Sequence, residues 1–458
     1  MIIDFLYTLN FFEAFLLFSL FFACSIKLLN SYLNNRWIDI FKPINLFALL
    51  TLFYCVIGPI ISSGQSDGDI IYRATNHREF YKIGLFAALL SFLSFQLGFD
   101  YKNKFYIKKF GLKKINDYVL EKKDILRLHR WGELIFLITI SLQFLAFGAY
   151  ILNSIRFIGS FNLNIETILI KQNLIGYFQP TVNFLIVANL LMFISLLNGS
   201  KERTKVSFYL LITISMFLNF GFRWRLFILL LPIFLIYFFY KKKKPKISLL
   251  ISLLIAIFIS FGIIQLTRSY GFGLSFDSAS YRKIRRENQS LFGASIKASF
   301  HDSNVFNTSG GMIYKTPSEY NYVGFAPIKN AIFVVFPRQF FPNKPQGEYI
   351  NDLYKKIYSF KYWEAGAASL GFAEYYIAGG WLALLSLNFL LGYFYKRLWI
   401  WFLYNFNDPL AQINYAAYLG FLFIIYSRGY LLQIGFLYIS VFLPLIICNY
   451  FWEKRFKK

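Results

Sequence analysis

The stretch KKKKPKISLLISLLIAIFISFGIIQLTR (241–268) decides the fold class. Five lysines, four of them consecutive, lead into an apolar run that carries no charge from Ile247 until Arg268. A run of about 20 apolar residues is what a helix needs to cross the hydrocarbon of a bilayer. Lysine and arginine gather at the cytoplasmic ends of such spans. The stretch is therefore expected to cross a membrane, with its lysine end cytoplasmic and Arg268 at the outer end.

The same pattern recurs in both directions along the 458 residues, of which 57% are hydrophobic and 21% aromatic. Apolar runs at 5–26, 43–62, 81–99, 131–152, 178–197, 206–222, 226–240, 246–267, 368–395, 409–427 and 431–451 predict about eleven spans. The expected fold class is an all-α polytopic membrane protein. About eight spans fill 1–267, one large helical loop occupies 268–367, and about three spans fill 368–458. The first residues lack a basic segment ahead of their apolar run, so they are expected to form an uncleaved first span rather than a signal peptide.

The formal net charge is +25. In a soluble chain this would suggest nucleic acid. Here the lysines cluster at the ends of apolar runs, membrane topology accounts for them, and no nucleic-acid partner is expected. Segment 100–130 holds ten Lys or Arg against four acids, and KERTK (201–205), KKKK (241–244), KR (396–397) and EKRFKK (453–458) follow. All lie an even number of spans apart, so all can be cytoplasmic together. The N-terminus is then outside and the C-terminus cytoplasmic. The loop 268–367, which is long enough to escape the charge rule, is outside.

Short outer connections should be poor in arginine, yet Arg156, Arg223, Arg225 and Arg428 fall in them, and Arg268 opens the long loop. Each alone is read equally well as snorkelling to lipid phosphates. Together on one face they favour a shared anionic ligand, because the planar guanidinium donates two parallel hydrogen bonds to a phosphate. Within the long loop, the apolar run 325–336 is too short to span. It is expected to dip into the outer leaflet, stopped by Pro337. The elbow FPRQFFPNKP (336–345) then holds Arg338 and Lys344 near the headgroups, or serves only to close a helix.

Other chemistry is sparse. No Walker or Rossmann fingerprint is present, so no nucleotide cofactor is expected. Cys24, Cys55 and Cys448 lie in predicted spans, which argues against a disulfide framework or thiolate metal site. The three histidines lack zinc-ligand spacing. His129 is read as idle, whereas His301 beside Asp302 has the composition of a general base or of a solvated loop. Asp67 and Asp69 form a D-x-D that suits a divalent cation on a diphosphate, or a plain turn, which is the favoured reading. Glu374 enters a span at its outer end and needs a partner: an arginine, or a substrate hydroxyl. Loop aromatics, among them Tyr320, Tyr322, Phe325 and Trp363, suit either sugar faces or a core.

Two stretches together carry a resemblance. VVFPRQFFPNKP (334–345) and AASLGFAEYYIAGGWLALLSLNFLLGYFYKR (367–397) resemble, in order and spacing, the oligosaccharide repeat-unit polymerases of bacterial surface polysaccharide assembly, the O-antigen polymerases. Pro337, Arg338, Pro342, Lys344 and Pro345 match a P-R-x-x-x-P-x-K-P-like segment. Gly371, Glu374, Tyr376 and Gly380 match a G-x-x-E-x-Y-x-x-x-G-like entry into a span. The arginines at 223 and 225 are similar to an outer arginine hairpin of that family. The resemblance implies a glycosyltransferase of the bacterial inner membrane, with its active site facing the periplasm and no cofactor. Its substrates would be undecaprenyl-diphosphate-linked oligosaccharides, and its partners membrane lipids, chain-length regulators and flippases. Arg338, Glu374, His301 and Asp302 are the expected catalytic residues. Arg223, Arg225, Arg268, Lys344 and Arg428 are expected to hold diphosphate. The competing readings are another polyprenyl-phosphate-dependent membrane glycosyltransferase, with Asp67 and Asp69 on a metal, or a flippase for lipid-linked oligosaccharides.

Overall fold

A computed structural model describes residues 9–62, 77–101, 121–147, 178–219, 223–267, 290, 292–295, 304–334, 336, 348–357 and 368–454. Among these residues the chain is helical and contains no strand. The helices are α1 (Phe11–Leu33), α2 (Pro43–Thr51, extended by a π-helical stretch Leu52–Ile57 into Gly58–Ser62), α3 (His77–Asp100) and α4 (Lys122–Phe147). They continue with α5 (Phe184–Leu197), α6 (Arg203–Asn219), α7 (Arg223–Lys241), α8 (Ile247–Thr267), α9 (Asn304–Lys315), α10 (Ala326–Phe333) and α11 (Glu348–Ile357). The last three are α12 (Gly371–Tyr404), α13 (Pro409–Ser427) and α14 (Leu431–Glu453).

The described part of each of the eleven apolar runs lies mainly on a helix, and eight helices of the described residues are long and apolar enough to cross a membrane. The chain is thus a helical polytopic membrane protein. One expectation of detail differs. Arg223 and Arg225 are expected in a short outer connection, but helix α7 begins at Arg223 and takes both into its first turn.

The chain folds as two compact units, each assembled from separate stretches: 1–114, 300–404 and 421–436 in the first, and 115–299, 405–420 and 437–458 in the second. In the first unit α3 and α12 form the main helix pair. Lipid offers no hydrophobic drive between helices, so close backbone packing and interhelical hydrogen bonds must hold them. Gly98 lies against the carbonyl of Phe389, and Gly392 against the carbonyl of Phe95. Ser91 donates to Asn388 Oδ1 at 3.0 Å and Ser94 to the Leu385 carbonyl at 2.5 Å. Gly392→Leu would force a branched side chain into a backbone. The expected result is a cost above the about 1–3 kcal/mol of ordinary overpacking. It would be read as loss of the monodisperse peak in fluorescence-detected size-exclusion chromatography, and an unchanged peak would contradict this packing.

Helix α9, from the connection between α8 and α12, is a core element of the first unit. Phe306, Met312 and Ile313 are buried, Phe306 lies over Gly84, and Gly310 meets the Phe80 carbonyl. In the second unit α4 packs on α5. His129, read as idle, is buried there: Nδ1 lies 3.2 Å from Ser195 Oγ, and Nε2 lies 3.4 Å from Glu133, which also pairs with Lys205.

Candidate functional site

The segment G-x-x-E-x-Y-x-x-x-G opens α12, and each of its four residues holds a neighbouring element. Gly371 lies against the Ile425 carbonyl, where a side chain would collide. Glu374 is 2% exposed. Its Oε1 accepts from the Tyr349 hydroxyl at 2.6 Å, and the Leu431 N–H points between Oε1 at 3.0 Å and Oε2 at 2.8 Å. Leu431 is the first residue of α14, so the carboxylate caps that helix, where unsatisfied N–H groups and the positive end of the dipole favour an anion. A helix end and a phenol thus stand where an arginine or a substrate hydroxyl was expected as partner. With both oxygens so engaged, Glu374 is placed to position these elements. An acceptor hydroxyl could reach it only after those bonds opened.

Tyr349 comes from α11, whose sequence EYINDLYKKI puts Tyr349, Ile350, Leu353, Tyr354 and Ile357 on one buried face. That spacing is the amphipathic i, i+4, i+8 signal, and it is where the residues missed from sequence were legible. Burial and the neighbouring Glu374 charge push the Tyr349 phenol well above its usual range, so it stays a hydrogen-bond donor.

Behind Glu374, Tyr354 donates to Ser369 Oγ at 3.3 Å, Ser369 Oγ donates to the Gly429 carbonyl at 3.2 Å, and the Gly429 N–H returns to the Ser369 carbonyl at 2.6 Å. Ser309 of α9 accepts from the Leu370 N–H at 2.7 Å. This network fixes the connection 428–430 between α13 and α14. Arg428 sits in that connection, half-buried. Its charge and that of Glu374 both act on the Tyr354 phenol, in opposite directions, and burial is the larger influence, raising it. Among the described residues no carboxylate pairs with Arg428.

Tyr376 donates to the Thr316 carbonyl at 3.3 Å and meets Trp381 edge-on at 4.8 Å. Gly380 breaks α12 with φ 68° and ψ −155°. The Val323 N–H donates at 2.9 Å to the Ile377 carbonyl exposed by the break. This backbone region is essentially reserved for glycine, and other residues cost about 1–3 kcal/mol there. A Cβ at Gly380 would also sit 3.0 Å from the Tyr322 hydroxyl oxygen. Gly380→Ala is therefore expected to lower the melting temperature in detergent and to open the loop 316–323 to protease. A melt and a digestion pattern like those of the natural chain would contradict a helix broken by necessity.

In the second unit Arg225 is 5% exposed. Its Nε donates to Asn183 Oδ1 at 2.9 Å, Asn183 Nδ2 donates to Ser440 Oγ at 2.8 Å, and the guanidinium lies 5.0 Å from the Trp224 ring. It is drawn inside its unit rather than set open to solvent. Arg223 begins α7. The structure brings Glu374 and Arg428 to one network in the first unit and places Arg225 in the second. Arg338, Lys344, Arg268, His301, Asp302, Asp67 and Asp69 lie outside the described residues. Set against known protein families, curated proteins and solved structures, the chain matches none.

Proposed function

We propose that this chain joins oligosaccharide units carried on undecaprenyl diphosphate, by glycosyl transfer at the periplasmic face of a bacterial inner membrane. The observation that carries the reading is Arg428. A half-buried arginine without a carboxylate partner among the described residues stands at the meeting of two membrane-length helices, close enough for its charge to act on the Tyr354 phenol. Its setting suits a lipid diphosphate, and the resemblance of 334–345 and 367–397 to repeat-unit polymerases supplies the reaction.

In that reaction an acceptor hydroxyl on the incoming unit attacks the anomeric carbon of the growing chain. The new C–O glycosidic bond forms as the bond to the diphosphate oxygen breaks. Undecaprenyl diphosphate leaves with the electron pair, and the hydroxyl proton passes to a base. Charge grows on the leaving group, and preorganised cations stabilise it best in a site with little water. Arg428 takes this role, with Arg338 and Lys344 of the elbow. Arg225, tied to Asn183, braces its own unit. His301 with Asp302 takes the proton, and Glu374 keeps Tyr349 and the start of α14 in place. The donor arrives activated, so no nucleotide is needed. The eleven-span topology, with outer N-terminus and cytoplasmic C-terminus, belongs to the same reading.

A strain lacking the chain is expected to make surface glycolipid with at most one repeat unit, resolved by electrophoresis. Complete absence of glycan-capped lipid would instead point to a flippase.

A further inference from the structure

The loop between α9 and α10 borders an open surface pocket of about 460 Å³, lined by the consecutive residues 317–323. This lies within the about 300–1,000 Å³ typical of small-molecule sites. The loop is anchored rather than loose. Val323 holds the Ile377 carbonyl, Tyr376 holds the Thr316 carbonyl, and the Tyr322 ring meets Tyr376 edge-on at 6.1 Å.

The lining disfavours an anion. Lys315 at the end of α9 is buried and its charge is met by Glu319. Asp352 is close enough to Tyr320 to help burial raise that phenol above its usual range. What remains is an amide, a serine hydroxyl, and tyrosines that offer both a flat apolar face and a hydroxyl. That combination suits sugar rings, whose C–H faces lie on aromatics while their hydroxyls take hydrogen bonds.

The position also fits. Directly after the loop, Phe325, Ile328, Ile332 and Phe336 are exposed, Phe325 by 83%. Ile328 and Ile332 lie one turn apart on α10, with Phe325 just before the helix and Phe336 after it, as suits a helix that lies in the headgroup region. The pocket is thus set beside a helix with exposed apolar residues suited to the headgroup region, where the sugars of a lipid-linked chain would emerge.

We propose that the loop Thr316–Val323 is a subsite for the sugar rings of the oligosaccharide, distinct from the site of its diphosphate. This rests on the reading of the chain as a polymerase of lipid-linked oligosaccharides, and it adds where the glycan is held. The test uses the purified full chain in detergent. The probe is the free repeat-unit oligosaccharide, without lipid or diphosphate, released by hydrolysis from the surface polysaccharide of the source strain. Binding is measured by saturation-transfer NMR and titration for the natural chain, Asn321→Ala and Tyr322→Leu, each with its thermal melt.

The expected result is binding to the natural chain, at least tenfold weaker binding to both variants, and no competition by inorganic pyrophosphate. If Tyr322→Leu fails to fold, Asn321→Ala alone decides. No binding to the natural chain, equal binding to a folded variant, or full competition by pyrophosphate would overturn the subsite. The two proposals fail separately. Loop-dependent binding by a protein that turns over no lipid-linked unit would sink the polymerase and leave the sugar site. Polymerisation with loop-independent binding would do the reverse.

Discussion

Replacing Arg428 by alanine is expected to lower turnover of lipid-linked repeat units about a hundredfold or more per folded molecule, the usual loss when one preorganised partner of a developing negative charge is removed. Its side chain is half-buried and unpaired by carboxylates among the described residues, so folding should not depend on it as it would on one half of a buried ion pair. Arg428→Lys should recover part of the rate, because the charge remains but the two-pronged contact is lost. Normal polymerisation by folded Arg428→Ala would reduce the residue to one that snorkels to lipid phosphates.

Glu374 should behave in the opposite way. Glu374→Ala leaves the Tyr349 hydroxyl and the Leu431 N–H buried without their acceptor, and each such group costs about 1–3 kcal/mol. Folded yield and melting temperature are expected to fall together. Glu374→Gln keeps a carbonyl oxygen for Leu431 and should retain turnover within about tenfold per folded molecule, the equivalent of about 1.4 kcal/mol. A loss of a hundredfold or more by a normally folded Glu374→Gln would make the carboxylate the general base and contradict a positioning role.

The contrast between these two residues marks where sequence stops being legible. Spans were readable because crossing a bilayer is a property of one contiguous run, as at 431–453. The need of Glu374 for a partner was readable from the cost of a carboxylate at membrane depth. Its partners were not, since Tyr349 and Leu431 lie 25 and 57 residues away. Helix α9 was hidden for another reason. NVFNTSGGMIYK is not apolar by composition, yet it is core. Gly310 lets it touch the backbone at Phe80, and Ser309 satisfies itself by donating to the Val305 carbonyl while accepting from the Leu370 N–H. Summed hydropathy does not register polar groups whose hydrogen bonds close within the fold. The break at Gly380 likewise shows only as two adjacent glycines until the backbone angles reveal a conformation that glycine alone adopts.

The central claim is that this chain makes a glycosidic bond at the expense of a lipid diphosphate. The direct measurement is reconstitution of the purified chain into vesicles with a single lipid-linked repeat unit and no nucleotide, following both glycan length and free undecaprenyl diphosphate over time. The expected result is a ladder of longer glycans, still lipid-linked at one end, with one undecaprenyl diphosphate released for every unit added. Lipid-linked units that remain chemically unchanged, even if they appear on the other side of the bilayer, would contradict it.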